Sequence, residues 1–213
     1  MKKSLTLILT TIFFCKISFA QFESAKQVYK ANNYKEVIER HKTVAILPIK
    51  ATISYKKTPK EYSAEANAEE EKKLGMSMQQ GMYTYLLRKE DDYTVKFQDV
   101  ERTNALLKKA NIMGGLDEVL PDSICKILNV DAVIRCTYQY EKTASETGAL
   151  VSTLLIGTGK TGSGGLVMQI NDGKDGELVW RFYKEMNETL TSNANEIMER
   201  MMKKVARNFP YKK

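Results

Sequence analysis

The sequence predicts an α/β fold: a three-layer mixed sheet of about five strands, covered by helices on both faces and preceded by an N-terminal helix. Three observations carry this. Lys42 to Ile49 places Val44 and Ile46 on one side and Ala45, Leu47 and Ile49 on the other. A strand apolar on both faces belongs inside a sheet sandwiched by helices. Helical and strand patterns then alternate along the chain, and a β-hairpin follows them, as in a mixed sheet.

Taken in order, residues 1–20 read as a signal peptide. Lys2 and Lys3 form a basic start, Leu5 to Phe14 is a mostly apolar run, and Ser18-Phe19-Ala20 offers small residues at the two positions a signal peptidase reads. The run is too short to cross a bilayer as a retained helix. Cys15 follows the bulky Phe14, whereas a lipobox places a small residue there. Cleavage near Ala20 is therefore expected, giving an exported, periplasmic or outer-membrane-associated chain without a lipid anchor. What remains after Gln21 suffices for one domain with a real core.

The formal net charge is +7 over 213 residues, and the excess is spread rather than clustered. That pattern does not argue for nucleic acid. It is compatible with loose attraction to an anionic envelope surface. An exported chain can oxidise Cys125 and Cys136. Both nevertheless lie in apolar patterns that suit a small buried thiol, and free buried thiols are the favoured reading.

Residues 21–41 read as an N-terminal helical extension with Phe22, Ala25, Val28, Tyr29, Val37 and Ile38 on one side, weakened at Asn32-Asn33. The α/β domain then occupies 42–213. Its first strand fades at Pro48, which has no N–H to donate. Lys50 to Ala68 reads as a long polar loop. Glu69 to Arg88 has the strongest helical pattern: three glutamates open it, Leu74, Met78, Met82, Tyr85 and Leu86 face inward, and Gly75 and Gly81 mark close approach to a neighbour.

Thr94 to Val100 alternates as a second strand, and Asp99 caps a helix through Ala110. Gly114-Gly115 breaks the chain, and Pro121 opens a short helix through Leu128. Asp131 to Glu141 is a strand with Ala132, Ile134, Cys136, Tyr138 and Tyr140 on one face. Gly165–Ile170 and Glu177–Lys184 form a hairpin about a turn-rich connection, with Leu178, Trp180 and Phe182 on one face. Asn193 with Glu196 resembles a capping box, opening a last helix with Ile197, Met201, Val205 and Phe209 inward.

Candidate chemistry is sparse. Gly157-Thr158-Gly159-Lys160-Thr161 resembles the end of a phosphate-binding loop, yet Leu154 stands where the first Gly is needed and no helix is expected to follow. A flexible Gly-Thr-Ser loop is the expected reading. His41 is the single histidine, so a His-based metal cluster has no second His. It lies just outside the first strand, where a solvent-facing position is expected. Asp91-Asp92 and Glu69-Glu70-Glu71 fall at a turn and a helix start, positions that explain them without catalysis. The methionines Met76, Met78, Met82, Met198, Met201 and Met202 suit irregular core gaps. Catalytic, cofactor and metal residues are assigned to none of these, and the chain reads as non-enzymatic.

The one unabsorbed stretch is Gly148 to Gly165, within an inserted loop at 144–164. Its apolar middle is surplus to a connection between strands. Leu150, Val151, Leu154, Leu155 and Ile156 are the candidate partner-binding residues, with an envelope protein, a second copy of the chain or a peripheral membrane surface as the occupant.

Lys42-Thr-Val-Ala-Ile-Leu-Pro-Ile49, Leu128-Asn-Val-Asp-Ala-Val-Ile134 and Gly176-Glu-Leu-Val-Trp180 together resemble a recurrent envelope domain. It is that of the CsgG-like curli-secretion proteins, the LpoB-type activators of penicillin-binding proteins and the N-terminal domain of TolB. The resemblance spans most of 42–209 through short apolar motifs. It implies a small α/β domain that binds other envelope components, with no cofactor and no catalytic residues. The chain departs in lacking a lipobox and in an insertion too short for paired membrane-spanning hairpins. The reading is an exported envelope binding or scaffold protein. One alternative is a subunit of an oligomeric secretion or pore assembly, and a second is an enzyme of unrecognised chemistry.

Overall fold

The computed structural model describes residues 26–142, 160–189 and 193–213. The expected signal peptide at 1–20, most of the inserted loop, and Leu150, Val151, Leu154, Leu155 and Ile156 lie outside them. The described chain is a mixed α/β fold built on a seven-stranded sheet. Its strands are β1 (Gln27–Lys30), β2 (Thr43–Ile46), β3 (Lys50–Tyr55), β4 (Lys96–Phe97), β5 (Ala132–Lys142), β6 (Lys160–Asp172) and β7 (Leu178–Thr189). The α-helices are α1 (Tyr34–Arg40), α2 (Ala64–Leu87), α3 (Val100–Lys109), α4 (Pro121–Leu128) and α5 (Ala194–Val205). The sheet order is β1-β7-β6-β5-β2-β4, and β3 also pairs with β5. Pairs among β2, β3, β4 and β5 are parallel, whereas β5–β6, β6–β7 and β1–β7 are antiparallel.

The N-terminal extension, the strand count and the stretch after Pro48 each need correction. The described part of the N-terminal extension is not one helix: Gln27–Lys30 adds an edge strand to β7, and only Tyr34–Arg40 is helical. Asn32-Asn33 is the break between the two, and β7 supplies a ladder that an isolated helix turn would lack. The strand count is seven rather than about five. The polar stretch after Pro48 also contains a strand, β3, in which Ala51 and Ile53 are buried while Lys50, Thr52 and Ser54 are exposed. The loop is accordingly short, and α2 starts at Ala64, where the Ser63 hydroxyl accepts from the Ala66 amide at 3.3 Å.

β2 and β3 occupy one side of β5 in succession. Ile46 pairs with Ile134 and Lys50 with Thr137, so Leu47, Pro48 and Ile49 stand opposite only Arg135 and Cys136. This is a bulge at the residue that cannot donate to a ladder.

The larger core lies on one face. Val44, Ile46, Ile134, Tyr138, Met168, Ile170, Trp180 and Phe182 pack there beneath α1, α2 and α5. On the other face Ala45, Leu47 and Val133 are covered by Leu107 of α3 and Ile124, Cys125 and Leu128 of α4. The three-layer expectation holds over β2 and the start of β5, but not over β3, whose second-face residues Lys50, Thr52 and Ser54 are exposed. Over the upper part of β5, over β7 and β1, and over β6 apart from the stretch that α4 reaches, no described helix covers the second face.

The end of α2 nearest the free sheet edge explains its glycine. Asn67, Glu71, Gly75 and Gln79 recur at four-residue spacing and form one ridge of the helix. The Asn67 amide donates to the Ile53 carbonyl at 3.3 Å, and the Glu71 carboxylate accepts from the Ile53 amide at 2.7 Å. A side chain at Gly75 would collide with the Ile49 carbonyl. Gln79 donates to the Ile46 carbonyl at 2.7 Å and exchanges hydrogen bonds with Asn104 at 3.1 and 3.0 Å. One ridge thereby meets the backbone groups that β2 and β3 turn away from β5, and the edge is closed to a further strand.

The Gly162-Ser-Gly-Gly165 run is likewise strand, not flexible loop. Gly164 lies under the ring of Tyr138 and Gly162 under the ring of Tyr140, and a Cβ at either would strike the ring. The two rings are nearly parallel, with centroids 6.3 Å apart and 13° between planes. Bare glycine backbone on the core face is covered by aromatic surface from the neighbouring strand.

Candidate functional site

The parallel strands β2, β4 and β5 begin at one end of the sheet, and there the chain brings the buried His41 and Asp172 together beside the exposed Asp131. Asp131, just before β5, accepts from the Lys42 and Thr43 amides at 2.8 Å each. Its own amide donates to the Thr43 carbonyl at 2.9 Å, so this carboxylate sets the entry of β2 against β5.

His41 closes α1, and it is not solvent-facing: only 3% of its surface is exposed. Its Nδ1 lies 2.8 Å from the Tyr211 hydroxyl and its Nε2 3.1 Å from Asp172 Oδ1. Arg40 Nη2 donates to the other oxygen of Asp172 at 2.9 Å. Burial raises the Tyr211 phenol well above its ordinary pKa, so it keeps its proton. Burial also lowers the His41 pKa, against the opposing pull of Asp172. The neutral ring then accepts from Tyr211 at Nδ1 and donates to Asp172 through Nε2–H, and both nitrogens are satisfied.

The cluster joins three remote parts of the chain: the entry to β2, the end of β6 and the C-terminal tail. The Tyr211 carbonyl in turn accepts from the Thr94 amide at 2.9 Å, and Tyr93 bridges Lys212. An open cleft of about 410 Å³ beside it is lined by Tyr34, Lys35, Ile38, Glu39, His41, Lys42, Thr94 and Pro210. The ring edge reaches the cleft wall, but neither nitrogen is available to a ligand there.

The cysteines sit on opposite faces of the sheet and are free and buried. Burial pushes the Cys125 thiol up to about 12 and raises Cys136 further still, which keeps both protonated and poorly nucleophilic. Among the described residues, no group of three or more His, Cys, Asp and Glu is arranged to hold a metal ion. No described helix is long and apolar enough to cross a membrane.

At the opposite end, β5 and β6 run out together to the Lys142–Gly162 pair. The apolar segment holding Leu150 to Ile156 connects these two strands. β6 starts at Lys160, so a strand follows the Lys160-Thr161 pair, where a phosphate-binding loop requires a helix.

A second open cleft, also about 410 Å³, lies where β2 breaks at Pro48. It is bounded by Lys50, Arg135, Thr137 and Gln169 on the sheet and by residues 113–118 of the loop after α3. Sequence reasoning passed over Lys50 and Arg135, because they become neighbours only when β3 pairs with β5.

No family model matches the chain, and no curated protein matches it. Among solved structures, the fold is similar to that of lipoprotein GNA1162 from Neisseria meningitidis. That pair is 11% identical over 78% of this chain and 94% of that one, with a TM-score of 0.46. It is similar to the PelC dodecamer from Paraburkholderia phytofirmans at 13% identity, over 89% of this chain and 99% of that one, with a TM-score of 0.44. The LpoB C-terminal domain from Salmonella enterica is 8% identical over 73% of this chain and 96% of that one, with a TM-score of 0.34. Likenesses of this degree assign no family, and the CsgG-like resemblance is not shown.

Proposed function

We propose that the chain is an exported, non-catalytic binding or scaffold protein of the cell envelope, and that Leu150, Val151, Leu154, Leu155 and Ile156 contact its partner. The partner is an envelope protein or a second copy of the chain, with peripheral contact to the membrane surface. The observation that carries this reading is the register of β5 with β6. Lys142 opposite Gly162 brings the two strands that residues 143–159 connect side by side at the end of a long ribbon, away from the His41 end. The ribbon is stiffened beneath that end by the Tyr138 and Tyr140 rings over the glycines of β6.

The buried polar cluster supports the absence of catalysis. Its histidine has both nitrogens committed inside the protein, so it offers neither base nor acid to a bound substrate. The leader-like residues 1–20 support export.

The test replaces 149–161 with a short Gly-Ser linker. The far-ultraviolet circular dichroism and the denaturation midpoint should stay close to those of the parent, while co-fractionation with the envelope is lost. Unfolding of the variant would place the segment in the core. A folded variant that still co-fractionates would move the contact elsewhere, and either result overturns the proposal.

A further inference from the structure

The cleft at the Pro48 break has a composition that the fold does not require. Lys50 Nζ pairs with Asp117 Oδ2, and Arg135 Nη2 reaches Asp117 Oδ1 at 3.4 Å and the Leu116 carbonyl at 3.5 Å. Those two contacts sit at the outer limit of hydrogen bonding, and Nη2 alone of the guanidinium nitrogens makes them. Asp117 belongs to a short 3-10 turn, Leu116–Glu118, which follows Gly114-Gly115. Its carboxylate is more than half exposed, so it caps the two cations from the solvent side instead of being held in a core.

Pairing register extends the cleft into a row across the uncovered face of the sheet. Arg135 stands opposite Gln169, Gln169 opposite Arg181, and Arg181 opposite Tyr29. Strands lie about 4.8 Å apart, so Arg135 and Arg181 are roughly 10 Å apart with the Gln169 amide between them. Glu141 shares the face but stands roughly 20 Å along β5 from Arg135, at about 3.3 Å per residue. Glu118 also lines the cleft from the loop side, and Glu185 shares the face farther along β7 from Arg181.

We infer that this cleft binds a carboxylate side chain of an extended acidic peptide, which displaces Asp117 from between Lys50 and Arg135. The resident carboxylate already shows which group the two cations accept. A guanidinium with spare donors favours a second, better-aligned carboxylate. A peptide fits better than a bare inorganic anion because Gln169 and Thr137 each offer both a donor and an acceptor, as peptide amides require. This site is separate from the apolar segment between β5 and β6, so either proposal can fail without the other.

The test is fluorescence anisotropy of a labelled hexaglutamate peptide against the full chain at low salt, with hexaglutamine as the control peptide. Hexaglutamate should bind and hexaglutamine should not. Arg135→Gln and Lys50→Gln should each weaken binding on the order of tenfold, the value of one charge-assisted hydrogen bond. Arg88→Gln, which removes the same charge from the opposite side of the fold, should leave affinity unchanged. Asp117→Asn should tighten binding several-fold by removing the internal competitor, an outcome that loss of folding cannot mimic, whereas Glu199→Gln should not. Equal binding of the two peptides would overturn the proposal, as would equal losses in Arg135→Gln and Arg88→Gln. An affinity unaltered or weakened by Asp117→Asn would overturn the displacement.

Discussion

Gln79 donates its side-chain amide to the backbone carbonyl of Ile46 at 2.7 Å, from a helix to a strand thirty-three positions earlier. Lys42, just before β2, and Val44 within it turn their carbonyls to Lys96 and Gln98, and Ile46 comes next on that side. β4 ends at Phe97 and does not reach it. Gln79 supplies the missing donor, and Asn104 holds the amide in place through a reciprocal pair of bonds. The last buried acceptor of a central strand is thus satisfied by a side chain where the sheet has run out.

Gln79→Leu should therefore cost about 2–3 kcal/mol, although the replacement is apolar and its site is buried. The substitution orphans the Ile46 carbonyl and removes the partner of both the oxygen and the nitrogen of the Asn104 amide. Urea denaturation of the single and double variants with Asn104→Leu measures this. The two changes should be strongly non-additive, because the second removes a group the first has already stranded.

Gly75→Ala separates packing from propensity. In an exposed helix interior the change would stabilise by about 1 kcal/mol. Here the new methyl meets the Ile49 carbonyl, and backbone cannot swing aside as a side-chain tip can. The expected outcome is a net loss of about 1–3 kcal/mol, typical of overpacking, read as a lowered denaturation midpoint.

Trp180→Ala should be among the most damaging single changes, at about 3–5 kcal/mol, and Trp180→Phe much milder. Trp180 is fully buried on the core face of β7, near-parallel to Phe182 at 5.9 Å and edge-on to Phe209 at 6.0 Å. Alanine leaves a void beneath the C-terminal tail, whereas phenylalanine keeps most of the ring volume. Equal midpoints for the two variants would contradict this packing.

Much of this framework was legible from periodicity. The two-faced β2, the inward face of β5, the inward Trp180 and the caps at Asp99 and Asn193 all follow from local spacing. β3 was missed, although Ala51 and Ile53 alternate with polar residues, because four lysines and Pro59 nearby have the composition of a loop. The glycines of β6 looked like a flexible linker because the tyrosines that cover them belong to β5. The ridge Asn67-Glu71-Gly75-Gln79 is visible as a four-residue period, but its use depends on a sheet edge that only the assembled topology creates. His41 was misplaced for a related reason. Both of its partners, Asp172 and Tyr211, lie more than a hundred residues away.

That histidine sets the pH response of the fold. His41 is the single histidine of the chain, so a transition just below pH 6.5 has one side-chain source. Its pKa in the folded protein is lowered from 6.5, first by burial, with the Asp172 hydrogen bond and charge only partly offsetting that. In the unfolded chain the ring takes up a proton near 6.5, whereas the folded chain resists protonation until a lower pH. The unfolded state therefore binds more protons in that interval, and stability falls as the pH drops from 6.5 toward the folded-state value. The slope cannot exceed about 1.4 kcal/mol per pH unit, the limit for one proton. Above 6.5 the ring is neutral in both states and contributes no slope. Denaturation midpoints measured from pH 8 to pH 5 should be flat at first and then decline. His41→Gln should be less stable at pH 8, having lost the geometry that joins Asp172 to Tyr211, yet flatter between pH 6.5 and 5.5. A parent curve that rises with acid over that interval would mean that Asp172 dominates and that the buried ring is charged.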